Sequence, residues 1–132
     1  MRALAASFTS VSDEQPAQRW RATLRGELLT ARKERDGVRV SALRSALSAI
    51  DNAETPDGPA PRAGAIADSA VGLGAAEVAR RTLTDAEIRT VIRAEVDERV
   101  EAAEQLASAG RPERAADVRA EVAVLTGLLE DV

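Results

Sequence analysis

The residues of this chain best suited to bind a ligand are cations concentrated between positions 32 and 44. Guanidinium and ammonium groups at this density are typical of surfaces that hold phosphate groups. Part of the run also has a simpler explanation, because cations are favourable near a helix C-terminus. The candidate partner-binding cations are Arg32, Lys33, Arg35, Arg39 and Arg44.

A second candidate is the pair formed by Glu95 and Arg99, which are four residues apart. On a helix this spacing places the two side chains next to each other, where an ion pair contributes about 0.3–0.5 kcal/mol. The pair borders an apolar stripe, so the alternative is that it is half-buried and joins the two helical hairpins.

Several kinds of chemistry are excluded by composition. The sequence contains no cysteine and no histidine, which removes thiolate nucleophiles, disulfides, Cys/His zinc sites and histidine acid–base catalysis. The many carboxylates are best explained as solvated helix faces. We therefore predict no catalytic residue, no cofactor and no metal site.

The hydrophobic pattern predicts an all-α fold. Hydrophobic residues make up 45% of the 132 residues and aromatic residues only 2%, a composition that favours helices packed through aliphatic side chains and alanine. A helix from Pro16 to about Arg35 and another from Val38 to about Glu54 are separated by Asp36-Gly37, a turn signal. Their apolar stripes are Trp20, Leu24, Leu28 and Ala31, then Val40, Leu43, Leu47 and Ile50.

Two further helices are predicted after residue 83. The segment Thr84–Glu87 has the form of a capping box, and Gly110 followed by Pro112 marks the boundary between the two helices. Their stripes are Ile88, Ile92, Val96, Val100, Ala103 and Leu106, then Ala115, Val118, Val122, Leu125 and Leu129. The expected fold is two antiparallel helical hairpins that form a domain like a four-helix bundle.

The domain organisation follows from the segments that break this pattern. Residues 1–15 are expected to be a disordered tail and residues 16–132 a single helical domain. Within that domain, the Pro/Gly/Ala-rich residues 55–81 are expected to be a flexible linker. No apolar run is long enough to span a membrane, so cytoplasmic location is the default expectation.

Charge is distributed unevenly between the hairpins. Residues 16–54 carry eight basic and five acidic side chains, a balance of +3, and residues 84–132 carry six basic and twelve acidic ones, a balance of −6. Two hairpins of opposite sign can attract each other within one fold, or the asymmetry can mark an interaction surface.

Two motifs give the chain a resemblance to the GatB/YqeY family. They are Arg-Asp-x-x-Arg at residues 35–39 and Ala-Gly-Arg-Pro-Glu at residues 109–113, in the expected order and with matching helix spacing. The likeness covers about residues 18–129 without the Pro/Gly segment. The positions that match the family pattern are Arg35, Arg39, Arg44, Asn52, Glu95 and Arg99.

The resemblance implies a helical module like the tail of the B subunit of the tRNA-dependent amidotransferase. For the family it implies carbon–nitrogen ligase activity with glutamine as amido donor, while the tail itself helps to hold tRNA. Asn52 thus joins the candidate tRNA-binding residues. Two departures stand against tRNA binding: the family's C-terminal three-helix module is not seen after Val132, and Asp97-Glu98 makes the second hairpin acidic.

Two functions remain open from the sequence. One is a non-catalytic binding module linked to tRNA or to amidotransferase machinery through the basic first hairpin. The other is a protein–protein adaptor or self-associating bundle, including a homo-oligomer, in which helices dock through narrow apolar stripes and no nucleic acid is involved.

Overall fold

The computed structural model describes residues 15–56 and 81–130. These residues form four α-helices and no strand, which confirms the all-α prediction. The helices are α1 (Pro16–Lys33), α2 (Gly37–Glu54), α3 (Asp85–Ser108) and α4 (Pro112–Glu130). Apart from Gln15, Thr55, Pro56 and Arg81, the predicted tail and linker lie outside the described residues.

Helix packing is centred on α2. Consecutive helices pack against each other, α1 with α2 and α3 with α4, and we call these the first and second helical pairs. Helix α2 also contacts α3 and α4, whereas α1 touches α3 only slightly. This packing is consistent with the predicted hairpins. No described helix is long and apolar enough to cross a membrane.

The apolar stripe of α1 was predicted correctly from its period. Trp20, Leu24, Leu28 and Ala31 are all buried, as expected for a face that recurs every three or four residues. On α2 the buried face is wider than the predicted stripe. Ala42 and Ala46 are fully buried beside Leu43 and Ile50, while Val40 and Leu47 of the prediction are only partly buried.

The second helical pair departs further from its predicted stripes. Ile88 and Ile92 are fully buried at the start of α3, but Val100 is 42% exposed. On α4, Leu128 is buried, whereas its neighbour Leu129, which was predicted to belong to the buried stripe, is only partly buried. The helical period identifies which face of a helix is apolar. It does not show how far along the helix that face is covered by neighbouring helices.

The capping box predicted at Thr84 is present. The Thr84 hydroxyl accepts from the Glu87 amide at 3.1 Å, and the Glu87 carboxylate accepts from the Thr84 amide at 2.9 Å. Both bonds satisfy amides that the first helical turn leaves without a partner. At the other end of α3, Gly110 has φ +79° and Pro112 begins α4, again as predicted.

The turn between α1 and α2 lies at the predicted position, but glycine does not close α1. Gly37 is the first residue of α2, and Asp36 caps that helix by accepting from the Arg39 amide at 3.1 Å. The left-handed residue is instead Arg35, with φ 59°. It closes α1 with a Schellman motif, in which the Asp36 amide donates to the Ala31 carbonyl at 2.9 Å. A non-glycine residue therefore occupies a conformation that glycine adopts more easily.

This turn yields a stability prediction. We expect Arg35→Gly to raise the free energy of unfolding by about 1 kcal/mol, because it removes the steric cost of a Cβ atom in the left-handed region. Urea denaturation followed by circular dichroism measures the change as a shift in midpoint at constant slope.

The matched control is Gly110→Ala, which should lower the free energy of unfolding by about the same amount. Apart from Gly110 itself and its two chain neighbours, no residue has an atom within 4 Å of the position that the new Cβ would occupy, so the loss would come from the backbone alone. An Arg35→Gly protein no more stable than the wild type would show that the turn is not strained.

Candidate nucleic-acid interface

The first helical pair contains internal ion pairs that neutralise two of its cations. Arg39 donates to Glu27 at 2.7 Å and to Glu34 at 3.1 Å, and its side chain is only 26% exposed. It therefore joins α1 to α2 instead of facing solvent. The contacts of Arg39 thus support the fold, although the sequence analysis placed this residue among the candidate binding cations.

A second ion pair joins the start of α1 to the end of α2. Arg21 donates to Glu54 at 2.7 Å and also contacts Asp51. Glu54 is the one charged residue that is buried among those described. The hydrogen bond to Glu54 raises the pKa of Arg21 above its usual value, and this effect outweighs the opposing effect of burial. Sequence spacing gave no signal for this contact, which joins residues 33 positions apart.

These contacts leave a surplus of cations on the first helical pair. Within residues 15–56, every carboxylate is engaged by Arg21, by Arg39 or, for Asp36, by a backbone amide. The side chains of five cations in the same range make no hydrogen bond or ion pair and are exposed. They are Arg25, Arg32, Lys33, Arg35 and Arg44, and we call them the free cations.

The free cations include four of the five cations predicted from the sequence. Arg32 and Lys33 lie in the last turn of α1, Arg35 lies in the turn that follows, and Arg44 is on α2. The predicted Asn52 is exposed at the far end of α2. It borders an open polar cleft of about 710 Å³, lined also by Gln18, Arg21 and Thr82.

Glu95 and Arg99 form an ion pair within α3, and Arg99 also reaches α4. Arg99 donates to Glu95 at 2.9 Å on α3 and to Glu121 at 2.8 Å on α4. Burial opposes the charge of Arg99, but the hydrogen bonds to the two carboxylates outweigh it and its pKa is raised. In the described contacts these residues join α3 to α4 within the second helical pair. They do not form a bridge between the two helical pairs.

A polar contact between the two helical pairs is centred on Trp20. The Trp20 indole donates to Asp85 at 2.7 Å, and the Arg89 guanidinium lies 5.5 Å from the centre of the indole ring. Arg89 also donates to Asp85 at 2.7 Å and to the Leu129 carbonyl at 3.0 Å. This network connects α1, α3 and α4. Trp20 was identified only as a core residue, because its polar partner lies 65 positions away.

The surface of the second helical pair has the opposite charge. Seven carboxylates between residues 81 and 130 make no ion pair: Asp97, Glu98, Glu101, Glu104, Glu113, Asp117 and Glu130. In the same range four exposed cations are also without an ion pair: Arg93, Arg111, Arg114 and Arg119. The described residues contain no group of three or more side chains that could hold a metal ion.

These observations describe an all-α protein with one basic and one acidic helical pair. The sequence matches the family model described as Yqey-like protein over residues 21–130. The chain belongs to the YqeY-like family, as its two motifs predicted. No curated protein and no solved structure matches it significantly.

The Trp20 network predicts a dependence of stability on pH. Hydrogen bonds from Arg89 and then from Trp20 lower the pKa of Asp85 below its ordinary value of 3.8. A group whose pKa is lower in the folded state stabilises the protein above its unfolded pKa, and the contribution disappears as pH falls through the folded pKa. Wild type should therefore lose more stability than Asp85→Asn between about pH 5 and about pH 2.

Urea unfolding at each pH, followed by the fluorescence of the single tryptophan, measures this difference. The control is Asp117→Asn, which removes an exposed carboxylate that has no ion pair within the described residues and should keep the wild-type pH profile. Equal losses in wild type and Asp85→Asn would contradict the prediction.

Proposed function

We propose that this protein is a non-catalytic RNA-binding module of the YqeY-like family, and that the first helical pair holds the RNA phosphates. The observation that carries the proposal is that, within residues 15–56, the carboxylates have partners and five cations do not. All carboxylates there are engaged, and the five free cations remain available to solvent. A surface on which exposed cations outnumber carboxylates attracts a phosphate backbone.

The resemblance to the tail of the amidotransferase B subunit makes tRNA the RNA to test first. Within this proposal the two helical pairs act as antiparallel hairpins, and the module works beside amidotransferase-like machinery in the cytoplasm. The acidic second pair repels phosphates, so we infer that only the first pair faces the RNA. A carbon–nitrogen ligase step is not part of the proposal.

The test set is the four free cations that were predicted from the sequence, and all four lie outside the ion pairs that support the fold. The variant replaces Arg32, Lys33, Arg35 and Arg44 with glutamine. Arg39 is kept, because removing it would leave Glu27 and Glu34 without their partner. A matched control replaces Arg93, Arg111, Arg114 and Arg119 with glutamine, which changes the net charge by the same amount on the second helical pair.

Binding of labelled bulk tRNA is then followed by fluorescence anisotropy at about 50 and 200 mM salt. With four phosphate contacts, wild-type affinity should fall by roughly 50- to 150-fold between these two salt concentrations. The test variant should bind weakly and lose most of this salt dependence, whereas the control should keep it.

Two results would contradict the proposal. The first is no wild-type binding at tens of micromolar protein in low salt. The second is an equal loss of affinity in the test variant and the control, which would show that net charge matters and that the first helical pair does not.

A further inference from the structure

One stripe on the exposed side of α1 combines charge with an apolar side chain. Leu29 is 55% exposed. Arg25 lies four residues before it and Arg32 three residues after it. On a helix these spacings place the three side chains on one face. Both arginines are exposed and make no ion pair. We call these three residues the basic stripe.

A stripe of opposite charge lies on α3. Val100 is 42% exposed. Asp97 lies three residues before it and Glu104 four residues after it. Both carboxylates are exposed and have no ion-pair partner. We call these three residues the acidic stripe. Leu29 and Val100 are the two exposed large hydrophobic residues of the described chain, so each stripe is built around one of them.

An isolated exposed leucine or valine needs no explanation in a soluble protein. The spacing of the flanking charges is less easily explained as chance. The charges lie four residues before and three after Leu29, and three residues before and four after Val100, so one order is the reverse of the other. When α1 and α3 are antiparallel with Leu29 opposite Val100, every cation of one stripe faces a carboxylate of the other. The resulting pairs are Arg25 with Glu104 and Arg32 with Asp97.

The two stripes do not meet within one chain. Helices α1 and α3 contact each other only slightly, and the contact at Trp20 and Asp85 lies near the first turn of each helix. Leu29 is nine residues beyond Trp20 and Val100 fifteen residues beyond Asp85, and both remain exposed. The acidic stripe can therefore meet the basic stripe only if the two belong to different molecules.

We propose that the occupant of the basic stripe is the acidic stripe of a second copy of this protein. The contact is an antiparallel pair of helices with two ion pairs and a central apolar contact. Such an interface is small, so the association is weak and transient, with a dissociation constant on the order of 100 µM at low salt. Because the ion pairs are exposed, salt weakens it.

A charge-swap experiment on the full chain, without RNA, tests this proposal separately from the proposed function. One variant is Arg25→Glu with Arg32→Glu, and the other is Asp97→Lys with Glu104→Lys. Each variant alone presents like charges on both stripes, whereas an equimolar mixture restores opposite charges between the two variants. The control, Arg114→Glu with Arg119→Glu, reverses two exposed cations of α4 outside both stripes.

Sedimentation equilibrium at about 20 mM salt, where the Debye length is about 20 Å, measures the association. Wild type and control should associate with rising concentration. Each stripe variant alone should associate at least tenfold more weakly, and the mixture should return to within about threefold of wild type. Circular dichroism checks that all variants keep the same helix content.

The proposal is overturned by any of three results. These are a wild-type protein that stays monomeric at about 500 µM in low salt, a mixture that associates no better than the separate variants, or a control that loses association as strongly as the stripe variants do. Restoration in the mixture cannot come from a folding defect, because each chain in it carries the same substitutions as before.

Discussion

The fold depends on the burial of α2 by all three other helices. Two fully buried alanines, Ala42 and Ala46, lie beside Leu43 and Ile50 on this helix. Small side chains let neighbouring backbones approach closely, while the larger ones fill the space between them. With a single tryptophan and a single phenylalanine in the whole sequence, the core gains little from aromatic area. Close packing of aliphatic side chains therefore has to provide most of the stabilisation.

Polar contacts complement this apolar centre at its edges. Arg39 joins α1 to α2 near their shared turn, and Arg21 joins them at the opposite end. Arg99 does the same for α3 and α4, and Trp20 with Asp85 connects the two pairs. Ion pairs at a surface contribute little when isolated. The three arginines are half-buried and each binds two carboxylates, which makes their geometry more specific and fixes how the helices align.

Local patterns in the sequence predicted local structure well. The capping box at Thr84, the left-handed glycine at Gly110 and the whole stripe of α1 were all identified, because each depends on residues within one or two turns. The turn at Asp36-Gly37 was also predicted, but not its geometry, because glycine adopts the left-handed conformation most easily and is the residue expected to close a helix. The chain instead uses glycine to begin α2 and strains Arg35.

The candidate interface was predictable only in outline. Charge counts identified the first helical pair as basic, but they did not separate Arg39, which is bound to two carboxylates, from Arg32 and Arg44, which are free. That separation depends on which side chains meet across helices. The contact between Arg21 and Glu54 was missed for the same reason, since no local pattern links residues so far apart.

The sorting of charges also limits how the two proposed interactions can coexist. Arg32 belongs both to the cations proposed to hold phosphates and to the stripe proposed to receive a second copy. A phosphate group and a carboxylate cannot occupy the same guanidinium face at once. RNA and a second copy of the protein would therefore compete for α1. The competition is unequal, because a polyanion engages several free cations together, whereas the acidic stripe offers two carboxylates and the desolvation of one valine.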